Sequence, residues 1–210
     1  MKRAALWCGL LLLMVIWAGP LLDADRDSFA AHMLAHMGVV AIAAPLIAIG
    51  LSGTRWDFVS KRRLVSPIAA SLFELVVVWV WHAPALRSAA QASLTVTVVE
   101  QASFLAAGLV LWMSCLGGNR DEQGAAGAFA LLLTSIHMTL LGALLALPPR
   151  PLYGFETVTC LGLTLEAGQD QQLGGVLMLL IGAAVYLAGG VALLARLLSA
   201  PAGGQKSGAG

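Results

Sequence analysis

Long apolar runs separated by short polar turns set the pattern of this chain. An apolar run from Ala4 to Leu22 follows Lys2-Arg3 and is broken only by Gly19 and Pro20. A second run spans Phe29–Leu51, a third starts at Ser66-Pro67 and ends at Ala83-Pro84, and a fourth spans Leu94–Leu116. The fifth covers Ala125–Leu147 and stops at Pro148-Pro149-Arg150-Pro151. The sixth runs from about Gln172 to Leu198. Runs near twenty residues match the length a helix needs to cross a bilayer, and in lipid every backbone polar group must be paired within its own segment. The alternation of a membrane barrel strand is missing. The pattern predicts an all-α integral membrane protein, a bundle of about six transmembrane helices forming one domain over residues 1–198. A flexible tail rich in Gly, Ala and Ser follows over 199–210.

Local chemistry marks the ends of these helices. Asp27 or Ser28 is placed to cap the second, and Ser66 followed by Pro67 caps the third. Pro45 lies inside the second helix and removes a backbone bond, so a bend is expected near Ala41. Gly168, Gly175, Gly182 and Gly189 recur every seven residues and predict one smooth face for close packing of the sixth helix. The first run fits either a signal peptide or a first transmembrane helix. Leu22-Asp23-Ala24 is a poor cleavage site, which favours a retained helix.

Composition agrees: 59% of residues are hydrophobic and only 11% charged, far from the balance of a soluble domain. The net charge of +1 is uninformative, and no basic cluster large enough for a nucleic-acid partner is present. Cys8, Cys115 and Cys160 form no CxxC and no disulfide framework. The placement of charge carries more. Nine of the twelve Lys and Arg residues lie in the segments Lys2-Arg3, Arg55–Arg63 and Arg120 or in the C-terminal stretch. Arg26, Arg87 and Arg150 lie on the other side with Asp23, Asp25, Asp27, Glu156, Glu166 and Asp170. The positive-inside rule then predicts both termini in the cytoplasm.

Within this frame the ionisable residues sort by depth. His32-Met33 and His36-Met37 open the second helix. At about 100° per residue the two imidazoles lie about 40° apart on one face, with the thioethers on its flank. Histidines at this spacing are a known ligand geometry, and thioethers suit soft metals such as Cu(I). His82 ends the third helix, Glu100 lies about 10 Å into the fourth, His137 is near the middle of the fifth, and Asp170 stands at the mouth of the sixth. Intramembrane ionisable groups are costly and mark interior or wet functional sites. Each also has an ordinary reading: the methionines pack, the histidines pair with neighbouring helices, Trp81-His82 belongs to an interfacial belt, and Asp170 complements a helix N-terminus. Glu100 fits a ligand, a partner fixing an imidazole tautomer, or a carboxyl kept protonated by burial.

No enzyme is expected. No nucleophile–base pair or phosphate-binding loop is present, and HMxxHM lacks the glutamate of a zinc protease. Three readings follow from the residues: a copper-binding protein, a heme b carrier using histidines from different helices, and a metal-free scaffold that docks a partner through the glycine face of the sixth helix.

Several motifs, in order, carry a resemblance. They are His32-Met33 with His36-Met37, Ala44-Pro45-Leu46 and Gly50, then Trp81-His82-Ala83-Pro84, and Glu100-Gln101-Ala102-Ser103-Phe104 with Gly108 and Trp112. Pro151-Leu152-Tyr153 and Asp170-Gln171-Gln172-Leu173-Gly174-Gly175 with Met178 complete the set. The chain resembles the CtaG-like family of bacterial cytochrome c oxidase assembly factors. The resemblance implies a multi-pass protein of the bacterial inner membrane, needed to build the heme–copper oxidase of the respiratory chain. It implies copper supply to the catalytic subunit, with other copper chaperones as further partners beside the lipid bilayer. The expected metal ligands are drawn from His32, His36, Met33, Met37, His82, His137, Glu100 and Asp170. Gln101 stands where the family commonly has a histidine, and the chain has six helices where longer relatives have seven.

Overall fold

A computed structural model of the chain describes residues 1–19, 21, 28–57, 59, 64–116, 122–154, 157–160 and 163–199. The turns expected at Asp23–Asp27, Lys61–Arg63 and Gly117–Asp121, the residues Phe155-Glu156 and the tail beyond 199 lie outside the described residues. The described chain is mostly helical: α1 Lys2–Ala18, α2 Phe29–Leu51, α3 Pro67–Trp81, α4 Pro84–Ala92, α5 Leu94–Leu116, α6 Glu122–Ala146 and α7 Ala167–Leu198.

Among the described residues, α2, α5, α7 and the segment Gly124–Ala146 of α6 are each long and apolar enough to cross a membrane. The pair α3 and α4 adds a fifth span if read as one helix broken by a 71° bend. The architecture is that of a multi-pass membrane protein. Helix α1, at 17 residues, lies along α2 with Gly9, Leu13 and Ile16 buried.

Two segments read as connections prove ordered. The link at Leu86–Ser93 is the short helix α4, started by Pro84 at a position where its missing N–H costs nothing. The loop from Pro148 to Gln172 contains an antiparallel hairpin, β1 Thr157–Cys160 with β2 Leu163–Glu166, in register Thr157↔Glu166 and Val158↔Leu165. The fold is an all-α membrane bundle that carries one small hairpin in a connection. Helix α7 starts at Ala167, five residues before the expected start, with Glu166 and Gln169 forming a capping box.

The bend expected from Pro45 takes the form of a π turn over Gly38–Ala43. The Ala44 N–H reaches back five residues to the Val39 carbonyl, so the Val40 carbonyl is left out of the helix ladder. It accepts instead from Trp112 Nε1 at 3.1 Å and Tyr186 OH at 3.4 Å. A wide turn in a long helix thus becomes a tie between α2, α5 and α7.

Helix α7 packs along α6 through glycine. A Cβ at Gly175 would stand 2.6 Å from the Ala146 backbone nitrogen, and one at Gly182 would stand 3.0 Å from Met138 Cβ. Gly189 faces Trp112 and Leu131, whereas Gly168 meets nothing within 4 Å. The seven-residue face holds over its last three positions. Ser28 and Ser66 cap as expected, accepting from Ala31 N and Ala69 N.

Gly175→Ala is expected to destabilise the protein by about 1–3 kcal/mol, because backbone and not a flexible side chain blocks the added methyl. Gly168→Ala is expected to leave stability unchanged within about 0.5 kcal/mol. Thermal unfolding of the two variants in detergent compares them directly.

Candidate metal centre

The end of the bundle where α2 begins gathers most of the buried charge. Its keystone is Asp170, in the first turn of α7. Ser28 Oγ donates to Oδ1 at 2.6 Å, and the backbone N–H groups of Phe29 and Ala30 donate to Oδ2 and Oδ1 at 2.5 and 3.2 Å. Free N–H groups at a helix start favour an anion, and here a neighbouring helix supplies it. Its carboxylate holds the histidine-bearing turns of α2 in place. The next residue, Gln171, accepts from Leu152 N at 2.5 Å and donates to the Leu145 carbonyl at 2.9 Å. It pins the segment carrying Tyr153.

Beneath this cap three imidazoles converge. His32 and His36 stack at 6.4 Å between ring centroids, as their spacing of one turn requires. His82, the C-cap of α3, lies 5.5 Å from His36 and 6.1 Å from His32. Two imidazoles sharing one ion at a metal–nitrogen distance of about 2.0 Å have ring centres about 5–6 Å apart; the His36–His82 pair falls in that range, and His32 lies just beyond it from both. Phe104 packs on His36 at 4.0 Å, and Phe29 stacks on Tyr153 at 4.5 Å above them.

Hydrogen bonds set the roles of the ring nitrogens. His82 Nδ1–H donates to the Val78 carbonyl at 2.6 Å, leaving Nε2 buried without a partner. Both nitrogens of His36 are also buried without a partner. Metal-binding histidines commonly have one ring nitrogen anchored on a carbonyl and the other left for the ion. His32 differs. Arg87, carried in by α4, donates from Nη1 to His32 Nδ1 at 3.0 Å. A guanidinium only donates, so Nδ1 accepts and the ring proton lies on Nε2, which stands 3.7 Å from Glu100 Oε1.

Tyr153 OH donates to the His82 carbonyl at 2.6 Å. Burial pushes its phenol up to about 12, with nearby Arg87 acting in the opposite direction. It therefore stays a donor through neutral pH.

The other expected residues are placed differently. Met33 lies against Gly174, and Met37 Sδ is 4.0 Å from the point a Cβ would take at Gly182. Both thioethers thus face α7, on the flank of the histidine face. His137 has both ring nitrogens buried without a partner and makes no ring contact with the other histidines among the described residues. Below it lies a second polar group, in which Ser71 and Thr134 share a bond of 2.8 Å and Tyr186 OH donates to Glu74 Oε1 at 2.8 Å. Gln101 accepts from Trp17 Nε1 at 3.4 Å and ties α5 to α1.

Arg87, Phe104, Tyr153 and Gln171 are the site residues that histidine and methionine spacing does not reveal. Phe104 had a signal, one turn beyond Glu100 on the same face. Arg87 had only its isolation as the one charge between His82 and Glu100.

Buried together at this end are the three imidazoles and the Glu100 carboxyl, with the thioethers of Met33 and Met37 on the α7 side. Among the described residues no three His, Cys, Asp or Glu groups already surround one point. Arg87 on His32 Nδ1 takes up one donor.

Comparison with known proteins shows no match among curated proteins and none among solved structures. The profile of one protein family does match, over residues 1–200, which takes in every helix described above. The chain belongs to the cytochrome c oxidase caa3 assembly factor family, Caa3_CtaG.

Proposed function

We propose that this protein serves assembly of its oxidase by holding Cu(I) between His32, His36 and His82 and passing it to the catalytic subunit. The observation that carries this reading is the state of His82 and His36. One ring is anchored through Nδ1 on a backbone carbonyl, and three ring nitrogens between the two residues are buried with no partner. Leaving such nitrogens unpaired costs free energy, and a metal cargo recovers it at the one lone pair each neutral ring offers. Glu100, beside His32, supplies the negative charge that a cation needs at this depth.

The flanking thioethers of Met33 and Met37 offer exchangeable soft donors during hand-over, and His137 lies deeper along the same bundle. The part of Asp170 is to position: its carboxylate fixes the turn of helix that carries His32. The role is non-catalytic, since a chaperone site binds and releases without changing its cargo.

We further read the metal end of the bundle as periplasmic, with six spans counting α1 and both termini in the cytoplasm of the bacterial inner membrane. The charge pattern supports this. Lys2, Arg3 and Arg55 lie at the opposite end, where Lys2 Nζ donates to the Ser52 carbonyl at 3.0 Å. Arg196 sits in the last turn of α7. Cytoplasmic loops carry such an excess of Lys and Arg.

Three outcomes are expected. Replacing Asp170 with Ala removes a charge-assisted cap and costs about 3 kcal/mol of stability. Thermal unfolding measures this against exposed Gln172→Ala, expected within about 0.5 kcal/mol of the parent. In detergent under reducing conditions the protein is expected to bind Cu(I) stoichiometrically and the His36→Ala/His82→Ala double variant to lose it. Retention by that variant, or a Soret band in the purified protein, overturns the copper reading. A fluorescent-protein fusion at the C-terminus is expected to mature, as a cytoplasmic location requires, and an alkaline phosphatase fusion there to stay inactive.

A further inference from the structure

One buried ionisable group has no part in the copper reading. Glu74, midway along α3, is fully buried. A carboxylate inside a membrane bundle is tolerated when a cation pairs with it or when donors cover both of its oxygens. Neither condition holds here. Among the described residues no Lys, Arg or His pairs with Glu74. Tyr186 OH donates to Oε1 at 2.8 Å, while Oε2 is buried without a hydrogen-bond partner.

The groups around the carboxyl come from every helix packed on it. They are Ser71 on α3 itself, Thr134 on α6, Tyr186 on α7, Trp112 and the Cys115 thiol on α5, and the Val40 carbonyl on α2. His137 follows Thr134 by one turn of α6 and makes no bond to Glu74 among the described residues. Ser71 and Thr134 share one bond of 2.8 Å in which either hydroxyl can donate. When Thr134 gives its hydrogen to Ser71, its own lone pairs are left for a donor, and it lies beside the carboxyl. A hydrogen on Glu74 Oε2 is that donor. Oε1 then acts as an ordinary carbonyl oxygen and accepts from Tyr186, as observed.

We propose that Glu74 is a proton-binding site in the bundle interior, holding a proton on Oε2 at neutral pH, and that its loss is felt by α2 through Tyr186. The phenol has one hydrogen and two acceptors, Glu74 Oε1 at 2.8 Å and the Val40 carbonyl at 3.4 Å. Beside a neutral carboxyl the two acceptors are alike in kind, and the hydrogen serves both. An ionised carboxylate is the stronger acceptor and captures it, which leaves Val40 to Trp112 alone. The step is balanced: the Oε2–H bond breaks, the proton goes to a water-borne base, and no electrons change hands. The wide turn of α2 that Val40 belongs to lies directly after the turns carrying His32 and His36. Proton occupancy at Glu74 therefore acts on the bracing of the histidine helix. None of this depends on what the histidines bind.

The experiment uses the full chain in an ester-free detergent. Infrared spectra at neutral pH read the carbonyl stretch of protonated carboxyls, and isotope-labelled glutamate identifies the glutamate bands. The parent is expected to show a band that moves with the label. Glu74→Gln, which keeps the shape of the neutral acid, is expected to lose that band and to unfold within about 3 °C of the parent. Tyr186→Phe is expected to keep the band but displace it, because Oε1 has lost its donor. As the pH is raised and the band fades, amide hydrogen exchange across Gly38–Ala43 is expected to speed in the parent relative to Glu74→Gln.

A parent with no labelled band overturns the proposal without any variant. A band left whole by Glu74→Gln, or left in place by Tyr186→Phe, overturns it as well. Equal exchange in parent and Glu74→Gln, or a band that persists until the protein unfolds, overturns the link to α2.

Discussion

The carboxylate of Asp170 closes the start of α2, and the geometry of the histidine end hangs on that bond. A helix that begins inside a membrane bundle exposes N–H groups that lipid cannot satisfy. Here the neighbouring helix α7 supplies the acceptor, so the cap is also a cross-brace. His32 lies one turn beyond it, and Gln171, next in sequence, braces the segment that carries Tyr153. One dipeptide, Asp170-Gln171, thus sets the position of a histidine on one side and the roof of the site on the other.

A second constraint acts lower in α2. Pro45 takes an N–H out of the helix, and the π turn that absorbs the loss leaves the Val40 carbonyl for Trp112 and Tyr186. Tyr186 in turn donates to Glu74. The histidine turn of α2 is therefore held at both ends by side chains from α5 and α7, with little freedom to rotate. Against that rigid wall stands α4, a short amphipathic helix with two buried residues.

Much of the helical layout was legible in the chain. Apolar runs marked α2, α5, α6 and α7 because a membrane span needs about twenty apolar residues and little else. Ser28 and Ser66 were legible as caps, and Pro45 as a break. The hairpin was not read, although Thr157-Val158-Thr159 and Leu163-Thr164-Leu165 alternate branched and polar positions. Eight residues inside a loop carry too little signal against six long runs. Helix α4 was missed for a similar reason, since it is short and no more apolar than a polar linker.

Residue types and order along the chain determined which groups were available for chemistry. Four histidines, two of them one turn apart, with Glu100 and Asp170 in apolar surroundings, follow from composition and helical period. The tertiary structure decided which of them meet. It joined His32, His36 and His82, turned Met33 and Met37 toward the glycines of α7, and left His137 apart. It spent Asp170 on a helix cap and brought Arg87 onto His32. Helical spacing fixes neighbours only within one helix; partners on other helices depend on crossing angles, on where glycine allows close approach, and on which polar groups must satisfy each other out of water.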